Sequence, residues 1–110
     1  LAVAIGTAHG VYKAAPKLDL DCLARIADAC PTPLVLHGGS GLSDDDFRAC
    51  VANGISKINI FTHNNLAAAR AAHEHFTPET GAFELMPYVT EAVRRETMHH
   101  MRVFGSDGKA

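Results

Sequence analysis

A chain of 110 residues that is 47% hydrophobic and 20% charged has the composition of an ordinary globular domain, not of a disordered or low-complexity segment. Its formal charge of −2 supplies no basic field to draw nucleic acid or an anionic membrane surface, so neither is expected as a partner. No apolar run approaches the roughly 20 residues of a membrane span, and the N-terminal residues lack the regions of a signal peptide, which points to a cytoplasmic setting.

Leu1–Ile5 (LAVAI) is a short apolar run ended by Gly6, the pattern of a strand buried on both faces of a parallel sheet. It opens with neither an initiator methionine nor a polar lead-in, as expected of a piece of a longer chain. From Leu18 to Cys30, Leu20, Leu23, Ala24, Ala27 and Cys30 recur at helical spacing, and Pro31 closes the segment. Pro33–Leu36 (PLVL) reads as a second strand, ended by His37 and two glycines. Ser43 can cap a helix over Asp44–Asn53, with three acids in its first turn, Phe47 and Val51 on one face, and Gly54 as the stop. Ile58–Phe61 (INIF) is the third apolar run, and a third helix is expected from Thr62 through Leu66 to His75. Thr77–Phe83 carries Pro78 and Gly81 and reads as a loop, Tyr88–Val103 as a last helix, and Gly105–Ala110 as a mobile tail.

Strand then helix, three times over with short connections, predicts βαβ units and a parallel sheet, so the fold class is α/β. The architecture repeats while the sequence does not. Cys22, Cys30 and Cys50 are odd in number and fall among helix-like residues without the paired spacing of a metal knuckle, which makes them small core fillers. His63, His73, His75, His99 and His100 lie in helix-like or solvent-facing stretches and receive no metal role. Asp44, Asp45 and Asp46 resemble a carboxylate cluster, but consecutive helix positions point in different directions and suit a helix N-terminus better.

In parallel α/β folds the chemistry gathers where strands end. Here the three ends read Gly6-Thr7-Ala8-His9-Gly10-Val11-Tyr12-Lys13, then His37-Gly38-Gly39-Ser40-Gly41, then Asn59-Ile60-Phe61-Thr62. Backbone N–H groups of Gly38, Gly39 and Ser40 can turn toward one anion with no side chain in the way. Asn59 and Thr62 add donors at the next end, where the following helix offers its positive N-terminus, so the expected ligand is a phosphate. Tyr12 and Lys13 lie close to this region, and either could line it or stay on the loop surface.

The set IGTAHGVYK, PLVLHGGSG and GISKINIFT closely resembles the second half of the class II, zinc-dependent ketose-bisphosphate aldolases, which act on fructose and tagatose bisphosphates. The resemblance runs from Leu1 to about Phe76, with the motifs in the same order. It implies a (β/α)₈ TIM barrel represented by its last three βα units over residues 1–76, followed by a loop and C-terminal helix over 77–110. It also implies that His9 and His37 bind Zn²⁺, and that Gly10, Gly38, Gly39, Ser40, Asn59, Ile60, Phe61 and Thr62 hold the phosphate end of dihydroxyacetone phosphate. Neutral imidazoles suit zinc, and a catalytic zinc takes three protein ligands with one position open. The resemblance places the third ligand and the proton-transferring aspartate upstream, so no catalytic acid or base is expected in this stretch.

The implied reaction is reversible aldol cleavage of a ketose 1,6-bisphosphate, fructose 1,6-bisphosphate first, into dihydroxyacetone phosphate and glyceraldehyde 3-phosphate, a glycolytic step. Zinc as Lewis acid dispenses with a Schiff-base amine, so Lys13 and Lys57 are not nucleophiles. The full-length enzyme is expected to form dimers or tetramers, and the stretch alone to be inactive. The alternatives are a tagatose-bisphosphate or related ketose-phosphate aldolase, and a non-catalytic phosphate-binding barrel fragment.

Overall fold

The computed structural model describes residues 1–7 and 16–109. It forms two compact units, Leu1–Ile60 and Phe61–Ala110.

The first unit contains helix α1 (Leu20–Ala29), strand β1 (Leu34–Leu36), helix α2 (Asp44–Ala52) and strand β2 (Ile55–Ile58). Asp19 starts α1 by accepting the Cys22 backbone N–H at 2.8 Å, a cap worth about 1 kcal/mol. Ser43 starts α2 with a full capping box: its Oγ accepts the Asp46 N–H at 3.1 Å, and the Asp46 carboxylate accepts the Ser43 N–H at 2.9 Å. The three acids therefore do the work of a helix N-terminus, as the sequence predicts, and Asp45 also pairs with Arg48 at 2.7 Å.

β1 and β2 pair in parallel, with Leu34 opposite Ile55, Val35 opposite Lys57 and Leu36 opposite Ile58, and a register irregularity between Leu34 and Val35. The core of this unit is Ile5, Leu23, Leu34, Leu36, Leu42, Phe47, Cys50 and Ile55, all buried. Each large aliphatic or aromatic side chain there contributes about 1.5–3 kcal/mol of transfer free energy. Gly54, at φ +108°, closes α2 and turns the chain into β2, and a Cβ at that position would stand 2.5 Å from the Cβ of Ala27.

Two strand expectations change. Leu1–Ile5 makes a single parallel bridge, Ala2 to Val35, and is not a full strand, although Ile5 is buried and its carbonyl accepts the Asp19 N–H at 3.0 Å. The third strand lies at Ile55–Ile58, three residues earlier than the apolar run INIF. Ser56 and Lys57 in its middle are exposed, so it carries polar residues that an apolar-run reading passes over.

The second unit is an antiparallel pair, α3 (Thr62–His75) and α4 (Ala82–Val103). Asn64 Nδ2 donates to Thr97 Oγ1 at 3.2 Å near one end, and the rings of His75 and Tyr88 meet edge-on at 3.7 Å near the other. The expected start of α4 at Tyr88 is too late by six residues. The helix runs through Pro87, at the cost of the N–H that would have bonded one turn back. The supposed loose tail is also partly fixed. Gly105, at φ +65°, donates to Arg102 and Ser106 to Met101, the two bonds of a Schellman stop after Phe104. Among the described residues no helix is long and apolar enough to cross a membrane.

Candidate active site

The register of the sheet decides which side chains meet. Leu36 faces Ile58, and the Asn59 N–H donates to the Leu36 carbonyl at 3.3 Å, so His37 and Asn59 leave neighbouring strand ends side by side. Asn59 Nδ2 lies 3.0 Å from His37 Nε2 and 3.3 Å from His37 Nδ1. Lys57 Nζ donates to Asn59 Oδ1. Lys57 and Asn59 are two apart at the strand's end, which puts both side chains on one face.

An ammonium has only donors, so the Asn59 atom it meets is the oxygen, and the NH₂ is turned toward His37. A ring nitrogen that accepts from this NH₂ carries no proton. Such an imidazole has the donor chemistry that zinc requires. His37 is half-buried.

The glycine-rich stretch after His37 folds into a tight turn. Gly38 has φ +69°, open to glycine and strained for other residues, and Leu42 N–H donates to Gly39 O at 3.2 Å. Gly38 and Gly39 are buried and Ser40 is half-buried. Gly39 has a packing duty besides: a Cβ there would stand 2.9 Å from Cε1 of the buried Phe47 ring. The turn is thus seated on the hydrophobic core, which holds its backbone in place beside His37.

Of the other candidate residues, Ile60 is half-buried at the end of the first unit, while Phe61 and Thr62 open the second, with Thr62 as the first residue of α3. His9 and Gly10, with Tyr12 and Lys13, lie outside the described residues. Among the described residues there is no group of three or more His, Cys, Asp or Glu side chains that could hold a metal ion. Of the ligands implied by resemblance, His37 is therefore the one whose surroundings are visible.

Cys50 and His100 serve the fold. The Cys50 thiol is pushed up to about 11, first by burial and then by the Asp46 carboxylate, so it stays a protonated core residue. His100 is buried, with its Nδ1 donating to the Glu96 backbone carbonyl at 2.9 Å, and its ring lies 5.0 Å from that of His63. What the sequence reading missed is the Lys57–Asn59–His37 connection. The spacing of Lys57 and Asn59 was there to be seen, but the pairing of Asn59 with His37 exists only once the register is known.

The model of the family described as fructose-bisphosphate aldolase class-II matches residues 1–109. The chain belongs to the class II fructose-bisphosphate aldolase family. It is 44% identical over 110 residues to the protein YdjI of Escherichia coli K12, covering all of this chain and 39% of YdjI. The fructose-bisphosphate aldolase of Geobacillus stearothermophilus is 35% identical over 113 residues, again with 39% of its length covered. The crystal structure of the YdjI aldolase superposes with a TM-score of 0.90 at 43% identity, covering 99% of this chain and 40% of that one. The chain thus spans about 40% of the length of the aldolases it matches, and its mixed helix and strand architecture is that of part of the aldolase fold.

Proposed function

We propose that the protein containing this chain is a zinc-dependent ketose-bisphosphate aldolase, with fructose 1,6-bisphosphate as first-choice substrate. Residues 1–76 would supply the last three βα units of its (β/α)₈ barrel and residues 77–110 a helical extension. The observation that carries this reading is the meeting of His37 and Asn59 at neighbouring strand ends, next to the glycine turn, in a chain of the class II aldolase family.

In this reading His37, with His9, would hold the zinc, completed by a third ligand elsewhere in the protein. Zinc when bound supplies a Lewis acid for the ketose oxygens. The chain's own contribution is placement. Backbone N–H groups of the turn at Gly38, Gly39 and Ser40 would face the substrate phosphate, with Gly10, the Asn59 amide, Ile60, Phe61 and the Thr62 hydroxyl around it. Fixing one end of the substrate sets the reacting carbons, and this conversion of binding into orientation is worth several kcal/mol in barrier height. The proton-transfer group is assigned to another part of the protein.

The test is made on the full-length protein, with zinc content and aldol cleavage measured side by side for fructose and tagatose 1,6-bisphosphates. His37→Ala should lose zinc and turnover together, by more than the roughly 10–100-fold that loss of an outer-sphere partner costs. Stoichiometric zinc and unchanged turnover in this variant would remove His37 from the site. Preferential cleavage of the tagatose sugar would move the substrate assignment and leave the reaction class intact.

A further inference from the structure

We propose that Lys57 is a positioning residue: by holding Oδ1 of Asn59 it turns that amide's NH₂ onto His37 and keeps Nε2 of the ring unprotonated, ready for a divalent cation. The proposal rests on the reading of His37 as a metal ligand. It goes beyond that reading in giving work to a lysine that has no nucleophilic part to play.

The argument is one of donors and acceptors. An asparagine amide is ambiguous by itself, because either end can face a neighbour. Lys57 removes the ambiguity, since its ammonium can only donate. The Nε2 atom, at 3.0 Å the nearer ring nitrogen, then accepts, and the single proton of a neutral imidazole falls to Nδ1. Without Lys57 the amide can turn over and offer its oxygen to His37, which favours the opposite tautomer and puts a proton where a metal must bind. Metal-ligating histidines are generally oriented through the ring nitrogen that does not bind metal; here Asn59 instead holds the metal-binding nitrogen of the empty ring, and is itself held by a neighbour two residues back. With a cation on Nε2, the Asn59 NH₂ would be released while its oxygen stayed on Lys57, which would leave a donor able to meet a substrate oxygen. One amide would thereby have successive uses in the empty and the loaded site.

Lys57 is exposed, so its replacement does not threaten the core. The experiment uses the full-length protein labelled with ¹⁵N-histidine, metal-free, at mildly alkaline pH. Two-bond proton–nitrogen correlations read the tautomer of His37, and competition with a chelator reads the Zn²⁺ affinity. Wild type should show His37 as the Nδ1–H form. Lys57→Met should add a clear Nε2–H population and weaken zinc binding by about tenfold, and Lys57→Arg, which still donates to Asn59 Oδ1, should restore both. Asn59→Asp, with no NH₂ to offer, should put the proton on Nε2. An unchanged tautomer pattern and unchanged zinc affinity in Lys57→Met, or a wild-type pattern in Asn59→Asp, would overturn the proposal. Undiminished zinc binding in His37→Ala would instead sink the metal-ligand reading, and the tautomer spectra would still decide whether Lys57 governs the ring.

Discussion

In the first unit the polar side chains at the strand ends form a chain: Lys57 bonds Asn59 two residues along its own strand, and Asn59 reaches across the sheet to a histidine 22 residues away. In the second unit much of the polar bonding stays close to home. Glu91 takes Arg94 and Arg95, His100 takes the carbonyl of Glu96, and Thr77 takes Thr80. The bond from Asn59 to His37 needs the two paired strands to exist, and it holds polar groups of the candidate site in one place. The near bonds of the second unit need only a helix or a turn, and they keep that element in register. Among these bonds the long-range one from Asn59 to His37 lies at the candidate site, while Asn64 to Thr97 shows that a distant pair can also tie two scaffold helices together.

That contrast can be broken at several points. The largest stability effect is expected from Phe47→Ala, because the ring is buried at 1% exposure and supports Gly39 from below. A loss of about 3–5 kcal/mol should appear in denaturant unfolding of the full-length protein, from lost transfer energy plus a cavity. Activity under native conditions should fall too, since the turn beside His37 rests on this ring. A loss below about 1 kcal/mol would mean that the turn does not depend on the core.

Gly54→Ala should cost about 2–4 kcal/mol. The new side chain would have to adopt φ near +108° and stand 2.5 Å from Ala27 Cβ, so left-handed strain and overpacking add. Thermal unfolding measures it. Because Gly54 sets where β2 begins, this change should also shift Asn59 relative to His37, and a variant destabilised with wild-type turnover would loosen the tie between register and site.

Ser40→Ala sharpens the comparison from the chemical side. If the Ser40 hydroxyl joins its backbone N–H on the substrate phosphate, losing that hydrogen bond to a charged group should lower kcat/KM by an equivalent of about 1.5–3 kcal/mol, with zinc content unchanged. An unchanged kcat/KM would take the Ser40 hydroxyl out of the phosphate assignment.

These outcomes bear on what could be read before the fold was known. The α1, α2 and α3 helices were legible, because Ser43 is a cap residue and the apolar spacing is helical, while the Asp19 cap of α1 emerged only in the structure. The glycine turn and the family motifs were legible as local strings. The β2 strand was misplaced, because Ser56 and Lys57 are exposed and the eye goes to the apolar INI that follows. The correction matters, since it moves Asn59 from the strand's interior to the position just past its end. The start of α4 was placed six residues late, since the helix already runs from Ala82 and passes through Pro87. The bond between Asn59 and His37 is a property of register, which no local pattern encodes.

The smallest effect is expected from Glu91→Gln on α4. Glu91 accepts from Arg94 Nε at 2.6 Å and Nη2 at 2.7 Å, and from Arg95 Nε at 2.6 Å. These hydrogen bonds, Arg94 first and Arg95 second, hold its carboxyl down to about 2 from an ordinary 4.5. The contacts lie three and four residues along one exposed helix, so water and salt screen them and their worth is small despite the depressed pKa. The sign follows from the direction of the shift. A carboxylate easier to ionise in the folded state than in the unfolded one stabilises the fold above about pH 4.5, and that contribution is lost as the pH falls toward 2. Glutamine cannot ionise, so wild type should have a slightly higher melting temperature at neutral pH, and the gap should close on acidification and shrink in high salt. Melting curves of the full-length protein at several pH values and two ionic strengths check this. A large gap, or one indifferent to both pH and salt, would show that Glu91 does more than steady its own helix, and the division between site and scaffold would have to be redrawn around α4.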